Sequence, residues 1–104
     1  MKLLNIDYIP GKEIEPLGIV KGTVVHTKNV GRDFMAAMKT LVGGELVGYT
    51  QMLNEARQIA VKRMVDEAQA LGADAVINIR YGTCSVMSGA AEVIAYGTAV
   101  KIIN

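Results

Sequence analysis

Ala56-Arg57-Gln58-Ile59-Ala60-Val61-Lys62-Arg63-Met64 runs on through Leu71-Gly72 into Ala75-Val76-Ile77-Asn78-Ile79-Arg80-Tyr81, and this stretch decides the fold. Ala56, Ala60, Met64 and Ala68 recur every fourth residue, the spacing that lines one face of a helix. Gly72 stands where a helix end wants a left-handed residue just past its last turn. The residues after it are rich in β-branched side chains, which suit a pleated strand. The chain therefore predicts a helix that leads directly into a sheet.

Working outward, the helix should start near Glu45 or Tyr49 and end at Leu71, with Glu45 at the positive end of its dipole. Upstream, Leu17 to Thr27 reads as a strand that follows Pro16, and Leu3 to Ile6 as a short one before the turn at Pro10-Gly11. Between them and the long helix, Asp33 can cap a short helix from Phe34 to Val42 that ends at Gly43-Gly44. Downstream, Gly82 is expected to turn the chain into a strand from Thr83 to Met87. Ser88-Gly89 should turn it again into a last strand from Glu92 to Ile103. Helices grouped between strands of antiparallel type make the fold class α+β, with one long and one short helix packed on the sheet, in a single domain over residues 1–104. Ile19-x-x-Gly22-Thr23-x-Val25 is echoed by Ile94-x-x-Gly97-Thr98-x-Val100. In each strand the glycine marks a place where another backbone or ring comes close.

Composition narrows the function classes. The chain has 104 residues, 51% of them hydrophobic, and a formal net charge of +1. That charge gives no general pull toward nucleic acid, and no basic stripe with stacking aromatics assembles from four Tyr and one Phe. Lys21, His26, Lys28 and Arg32 form a mild basic patch that reads as solvated surface. No run of about 18 apolar residues offers a membrane span, and Asn5 and Asp7 come too early for a signal peptide. One cysteine, Cys84, excludes an internal disulfide and fits a reducing, cytoplasmic setting.

The last strand is apolar on both faces. Ile94, Tyr96, Thr98, Val100 and Ile102 line one, and Val93, Ala95, Gly97, Ala99 and Ile103 the other. Strands of that kind are normally covered on both sides. Two helices cover one face of a small sheet, so another copy of the chain is expected on part of the second. On the long helix, Tyr49, Leu53, Ala56, Ala60, Met64, Ala68 and Leu71 form the apolar stripe, flanked by Met52 and Ile59. Arg63 and Glu67 fall in the same arc, four residues apart, with Arg57 at its edge. Charges there need partners. They read either as an ion-pair network at a subunit boundary or as an anion-binding or catalytic cluster.

The chemistry-bearing residues are sparse. His26 is the sole histidine and Cys84 the sole cysteine, whereas a structural zinc site takes four ligands, commonly in close pairs. They are candidate ligands for a divalent or soft metal ion only if several copies each supply one. Cys84 as a nucleophile would need His26 beside it as base, which sequence does not establish. Phosphate-loop, dinucleotide and serine-hydrolase motifs are absent from the sequence.

An ordered set of residues carries a resemblance. Leu17-Gly18-x-Val20-x-Gly22 is followed by Arg32-Asp33, Gly43-Gly44-Glu45, Tyr49, Ala56-Arg57, Ala60, Arg63-Met64 and Ala68. Gly72-Ala73-Asp74-Ala75-Val76 and Glu92…Ala95-Tyr96-Gly97-Thr98-Ala99-Val100 complete it. In this order the chain resembles the YbjQ family of small bacterial and archaeal proteins. The resemblance implies an α+β domain of the dodecin-subunit-like kind that assembles into homopentameric rings. It also brings the label "putative heavy-metal-binding", with no established activity. Asp74 stands where members commonly have Asn, and the region of Cys84 varies, so no ligand role carries over to it. Two expectations result. One is a cytoplasmic, non-enzymatic homo-oligomer with a structural, metal-binding or small-ligand-binding role. The other is an enzyme or ligand sensor whose pocket lies between subunits, lined by Glu45, Arg57, Arg63, Glu67 and Glu92.

Overall fold

A computed structural model describes residues 1–26, 47–87 and 90–103. The elements are β1 (Lys2–Leu3), β2 (Ile14–His26), α1 (Val47–Ala70), β3 (Ala75–Met87) and β4 (Ala90–Ile102). The expected short helix from Phe34 to Val42, the Gly43-Gly44 break and Glu45 lie outside the described residues, as does the Ser88-Gly89 turn.

The four strands form one sheet in the order β1-β3-β4-β2. β4 pairs antiparallel with both β2 and β3, and β1 pairs parallel with β3. The sheet is thus mixed rather than wholly of antiparallel type, and the class α+β stands. β1 is shorter than the expected strand, but hydrogen bonds continue beyond it. Leu4 N–H donates to Val76 O, Asn78 N–H to Ile6 O, and Ile79 N–H to Leu4 O, at 2.9–3.1 Å.

The helix end matches its sequence signal. Gly72 has φ +78°. Its N–H donates to Gln69 O and the Ala73 N–H to Ala68 O, the paired bonds of a Schellman cap. Asp74 then ties two strands together. Its N–H donates to Val100 O, and its Oδ2 accepts the Ile102 N–H at 2.8 Å. An asparagine would offer the same acceptor.

Two strand boundaries differ from the sequence expectation. Gly82 does not turn the chain: it pairs with Ile94 inside a continuous β3. The Ile94 side chain closes over it, 3.1 Å from where a Cβ would stand, so a cross-strand neighbour fills the gap left by the missing side chain. Pro16 lies inside β2 rather than before it, at a register shift between Pro16 and Gly18. β2 is an edge strand, and edges and bulges are the places where proline is tolerated in a sheet.

Register shifts also decide which side chains face the core. Between Ile77 and Arg80, β3 advances three residues while β4 advances two, from Thr98 to Tyr96. The extra residue reverses the alternation. Ile77 therefore packs with Ile9 and Val100 on one face, while Ile79 packs under α1 on the other. Asn78 at the bulge has φ +54°, among non-glycine residues a conformation that Asn tolerates best.

The main core lies between α1 and the sheet. Ala56, Ala60, Met64 and Ala68 are all fully buried, and the last three pack on Val20, Val24, Val76, Ala95 and Ala99. The buried arc is narrower than the expected stripe: Ile59 and Leu71 are 43% and 50% exposed, and Arg63 and Glu67 are exposed. It is narrow because the helix backbone itself rests on the sheet. A Cβ on Gly22 would stand 1.9 Å from Ala60 O and 2.5 Å from Met64 N. A Cβ on Gly97 would stand 2.8 Å from Ile77 O, beneath the bulge. Both glycines thus mark close approaches, as the sequence echo implied.

Among the described residues, the opposite face is covered at one end only. The segment after β1 folds across it, and Ile9 is buried with Ala75, Ile77 and Val100, flanked by Leu4, Ile14 and Ile102. Beyond that end the face is open: Ile19 is 79% exposed, Val25 52% and Tyr96 38%.

Candidate functional site

Two strands and the segment after β1 bring polar groups together on the open face. The bulge at Asn78 sets Arg80 directly across from Tyr96 in the ladder. The bond from Asn78 N–H to Ile6 O anchors the residue before Asp7 at the same place. Asp7, Asn78, Arg80, Tyr96 and Thr98, with Ile19 as an apolar wall, line a cleft of about 440 Å³, within the size range of small-molecule sites. Among the described residues, no hydrogen bond or ion pair occupies the side chains of Asp7, Arg80, Tyr96 or Thr98. The cleft offers one guanidinium, one carboxylate and several uncharged polar groups. Sequence reasoning did not find it, because its residues come from distant parts of the chain. The one local signal was Asn78, a turn-favouring residue inside a β-branched run.

A second cleft lies beside the helix. α1 sits chiefly over β2 and β4, so among the described elements it leaves the helix-facing side of the outer half of β3 uncovered. Asn54, Arg57, Gln58, Val61, Lys62 and Tyr81 line a groove of about 540 Å³ there. It continues past Arg57 and Tyr81 into a smaller recess at Leu53, Thr83 and Val93. Arg57 is held by its own helix, with Nη2 donating to Asn54 Oδ1 at 2.7 Å. The groove is cationic through Arg57 and Lys62, and Asp66 already accepts the Lys62 ammonium at 3.2 Å.

Of the polar cluster expected from sequence, Glu45 lies outside the described residues, and Arg57, Arg63, Glu67 and Glu92 are dispersed within one chain. Arg57 and Arg63 flank the Ala56–Ala60–Met64 row on opposite sides. Arg57 faces β3, whereas Arg63 reaches across β2 and its Nη1 donates to Thr23 O. Glu67 is exposed on the helix, where the pair one turn apart is Lys62–Asp66. Glu92 lies on β4 in the row opposite Val93 and Ala95, on the side of the sheet away from α1.

The candidate metal ligands are also apart. Cys84 is exposed, and its thiol donates to the carbonyl of Ser85 at 3.6 Å. It pairs with Glu92 across β3 and β4. His26 pairs with Ala91, which pairs on its other side with Ser85. The His26 backbone is thus two strand spacings from this part of β3, roughly 10 Å. Among the described residues no three His, Cys, Asp or Glu side chains group closely enough to hold a metal ion. Cys84 and Glu92 supply two donors where a structural zinc site takes four, so the described part of one chain does not by itself assemble such a site. Among the described residues no helix is long and apolar enough to cross a membrane.

Comparison with known proteins places these features in a family context. A model of the YbjQ family, described as "Putative heavy-metal-binding", matches residues 1–103. A UPF0145 protein of Clostridium novyi is 64% identical over 103 residues, spanning 99% of this chain and 100% of its own. A UPF0145 protein of Helicobacter hepaticus is 56% identical over the full length of both chains, and one from Thermotoga maritima is 56% identical over 98% of this chain and 97% of its own. In three dimensions, a crystal structure of a protein with unknown function of the DUF74 family from Pediococcus pentosaceus is similar at TM-score 0.65. It covers 98% of this chain and 97% of its own at 17% identity, a likeness of fold alone.

Proposed function

This chain belongs to the YbjQ (UPF0145) family, and from that premise we propose that it is a cytoplasmic, non-enzymatic, ring-forming homo-oligomer, a pentamer, that binds small ligands at the boundaries between its copies. The observation that carries the reading is the open face. Ile19, Val25 and Tyr96 stand 79%, 52% and 38% exposed on one side of the sheet, beyond the reach of the segment that buries Ile9. Soluble chains seldom leave such a patch bare, and a second copy is the occupant always present at matching concentration. The outer edge of β2 and the part of β3 beyond the segment after β1 also carry backbone groups that neighbouring strands could pair. Contact between two different edges repeats from copy to copy and closes into a ring when the rotation allows. The lone Cys84 is consistent with a reducing compartment.

The dispersed charges support a ligand role at the boundary more than catalysis within a chain. Arg57 and Arg80 each border a cleft open to solvent, where a cationic side chain is placed to hold a ligand. Native mass spectrometry of the untagged protein tests the reading. The expected spectrum shows five copies and retained small-molecule mass. A single copy of 11.1 kDa at micromolar concentration refutes it.

A further inference from the structure

We propose that the cleft bounded by Asp7, Asn78, Arg80, Tyr96 and Thr98 binds a small zwitterion of the amino-acid class, its carboxylate on Arg80 and its ammonium on Asp7. The proposal deepens the reading above, because the same face is the one a neighbouring copy would roof.

The charge inventory argues for this class. The cleft holds one fixed cation and one fixed anion, unpaired with each other at salt-bridge distance and unpaired with any other described group. A simple anion would meet Arg80 but also Asp7, and a simple cation the reverse. A ligand carrying both charges satisfies both. The guanidinium of Arg80 is planar and matches a carboxylate in bidentate geometry. The amide of Asn78 and the hydroxyls of Tyr96 and Thr98 supply further donors and acceptors, and Ile19 and the Tyr96 ring offer apolar surface for a side chain.

The backbone is shaped around this spot. The bulge holds a non-glycine residue at φ +54°, a conformation that persists where surrounding contacts enforce it. Here Asn78 N–H to Ile6 O and Ile79 N–H to Leu4 O enforce it. Those bonds also fix the chain on which Asp7 stands. The bulge thereby brings Arg80 into line with Tyr96, where an unbroken ladder would bring Ile79. Gly97, opposite the bulge, leaves no room for a Cβ, so the strand below carries a residue that permits it.

The test uses isothermal titration of the full, untagged chain with the proteinogenic amino acids one by one, then with the matching amine and matching carboxylic acid of any that bind, and with inorganic phosphate. At least one amino acid should bind, and its amine and its acid roughly tenfold or more weaker, as expected for loss of one charge-assisted contact. Arg80→Met and Asp7→Asn should each weaken it by a similar factor while light scattering and circular dichroism stay as in wild type. No binding by any amino acid, or binding that survives Arg80→Met, overturns the proposal. So does phosphate or the bare acid binding as tightly as the amino acid and surviving Asp7→Asn, which marks an anion site. Particle mass measured on the same samples separates the two readings. A monomer that binds retires the assembly and keeps the cleft, whereas an assembly that binds nothing does the reverse.

Discussion

Replacing Gly22 with alanine probes the contact that sets the distance between helix and sheet. The added Cβ would stand 1.9 Å from Ala60 O, 2.5 Å from Met64 N and 2.8 Å from Arg63 Cβ. Two of these three atoms are helix backbone, so no rotamer change relieves the clash. Either α1 lifts or β2 bows, and each loosens Ala60 and Met64 from the strands beneath them. Overpacking in a filled core typically costs about 1–3 kcal/mol, and a clash with fixed backbone belongs at or above the top of that range. At about 4–8 °C per kcal/mol for a domain near 100 residues, the melting temperature should fall by at least 12 °C. The assay is thermal and urea unfolding at one fixed protomer concentration, since self-association makes apparent stability depend on concentration. Gly82→Ala is the internal control, because its Cβ would meet only the Ile94 side chain at 3.1 Å. If Gly22→Ala melts within about 0.5 kcal/mol of wild type, the helix does not rest on this strand as described.

Other outcomes follow from the same geometry. Asp74→Ala should cost about 1–2 kcal/mol by chemical denaturation because the Ile102 N–H loses its acceptor, while Asp74→Asn should stay near wild type. Met64→Ala should cost about 2–5 kcal/mol, the usual loss for emptying a fully buried site, measured by the same unfolding curves. A metal held between copies by the candidate ligands Cys84 and His26 requires stoichiometric metal by elemental analysis of untagged protein purified without chelator, and its loss in Cys84→Ser. Fully assembled, metal-free protein removes that reading.

What the sequence disclosed was local. The helix, its Gly72 cap and the strand after it are adjacent in the chain, and each signal is a residue whose conformational preference acts where it stands. The glycine echo worked for a related reason: Gly22 and Gly97 lack a side chain because something else occupies its place. What stayed hidden depended on distant pairing. Gly82 looks like a turn until Ile94 is known to lie across from it. Ile77 and Ile79 look like one face of a strand until the bulge at Asn78 separates them. Helical periodicity placed Arg63 and Glu67 on the core side because it assumes side-chain packing at ordinary distance. Here the helix sits on Gly22, and among its described side chains only the Ala–Ala–Met–Ala row is enclosed. The cleft at Asp7, Asn78 and Tyr96 was illegible for the strongest form of that reason, since it draws on two strands and a bend far from them in the chain.

The central claim, that the open face is where copies of this chain meet, is tested most directly at Ile19. At 79% exposure the side chain contributes little to a lone chain, so Ile19→Asp should change monomer stability by no more than about 0.5 kcal/mol. Light scattering of untagged protein at micromolar concentration should give wild type as a particle of five times 11.1 kDa, and Ile19→Asp as a folded 11.1 kDa monomer. Wild type already at 11.1 kDa, or an Ile19→Asp variant that keeps the wild-type mass, would contradict the account.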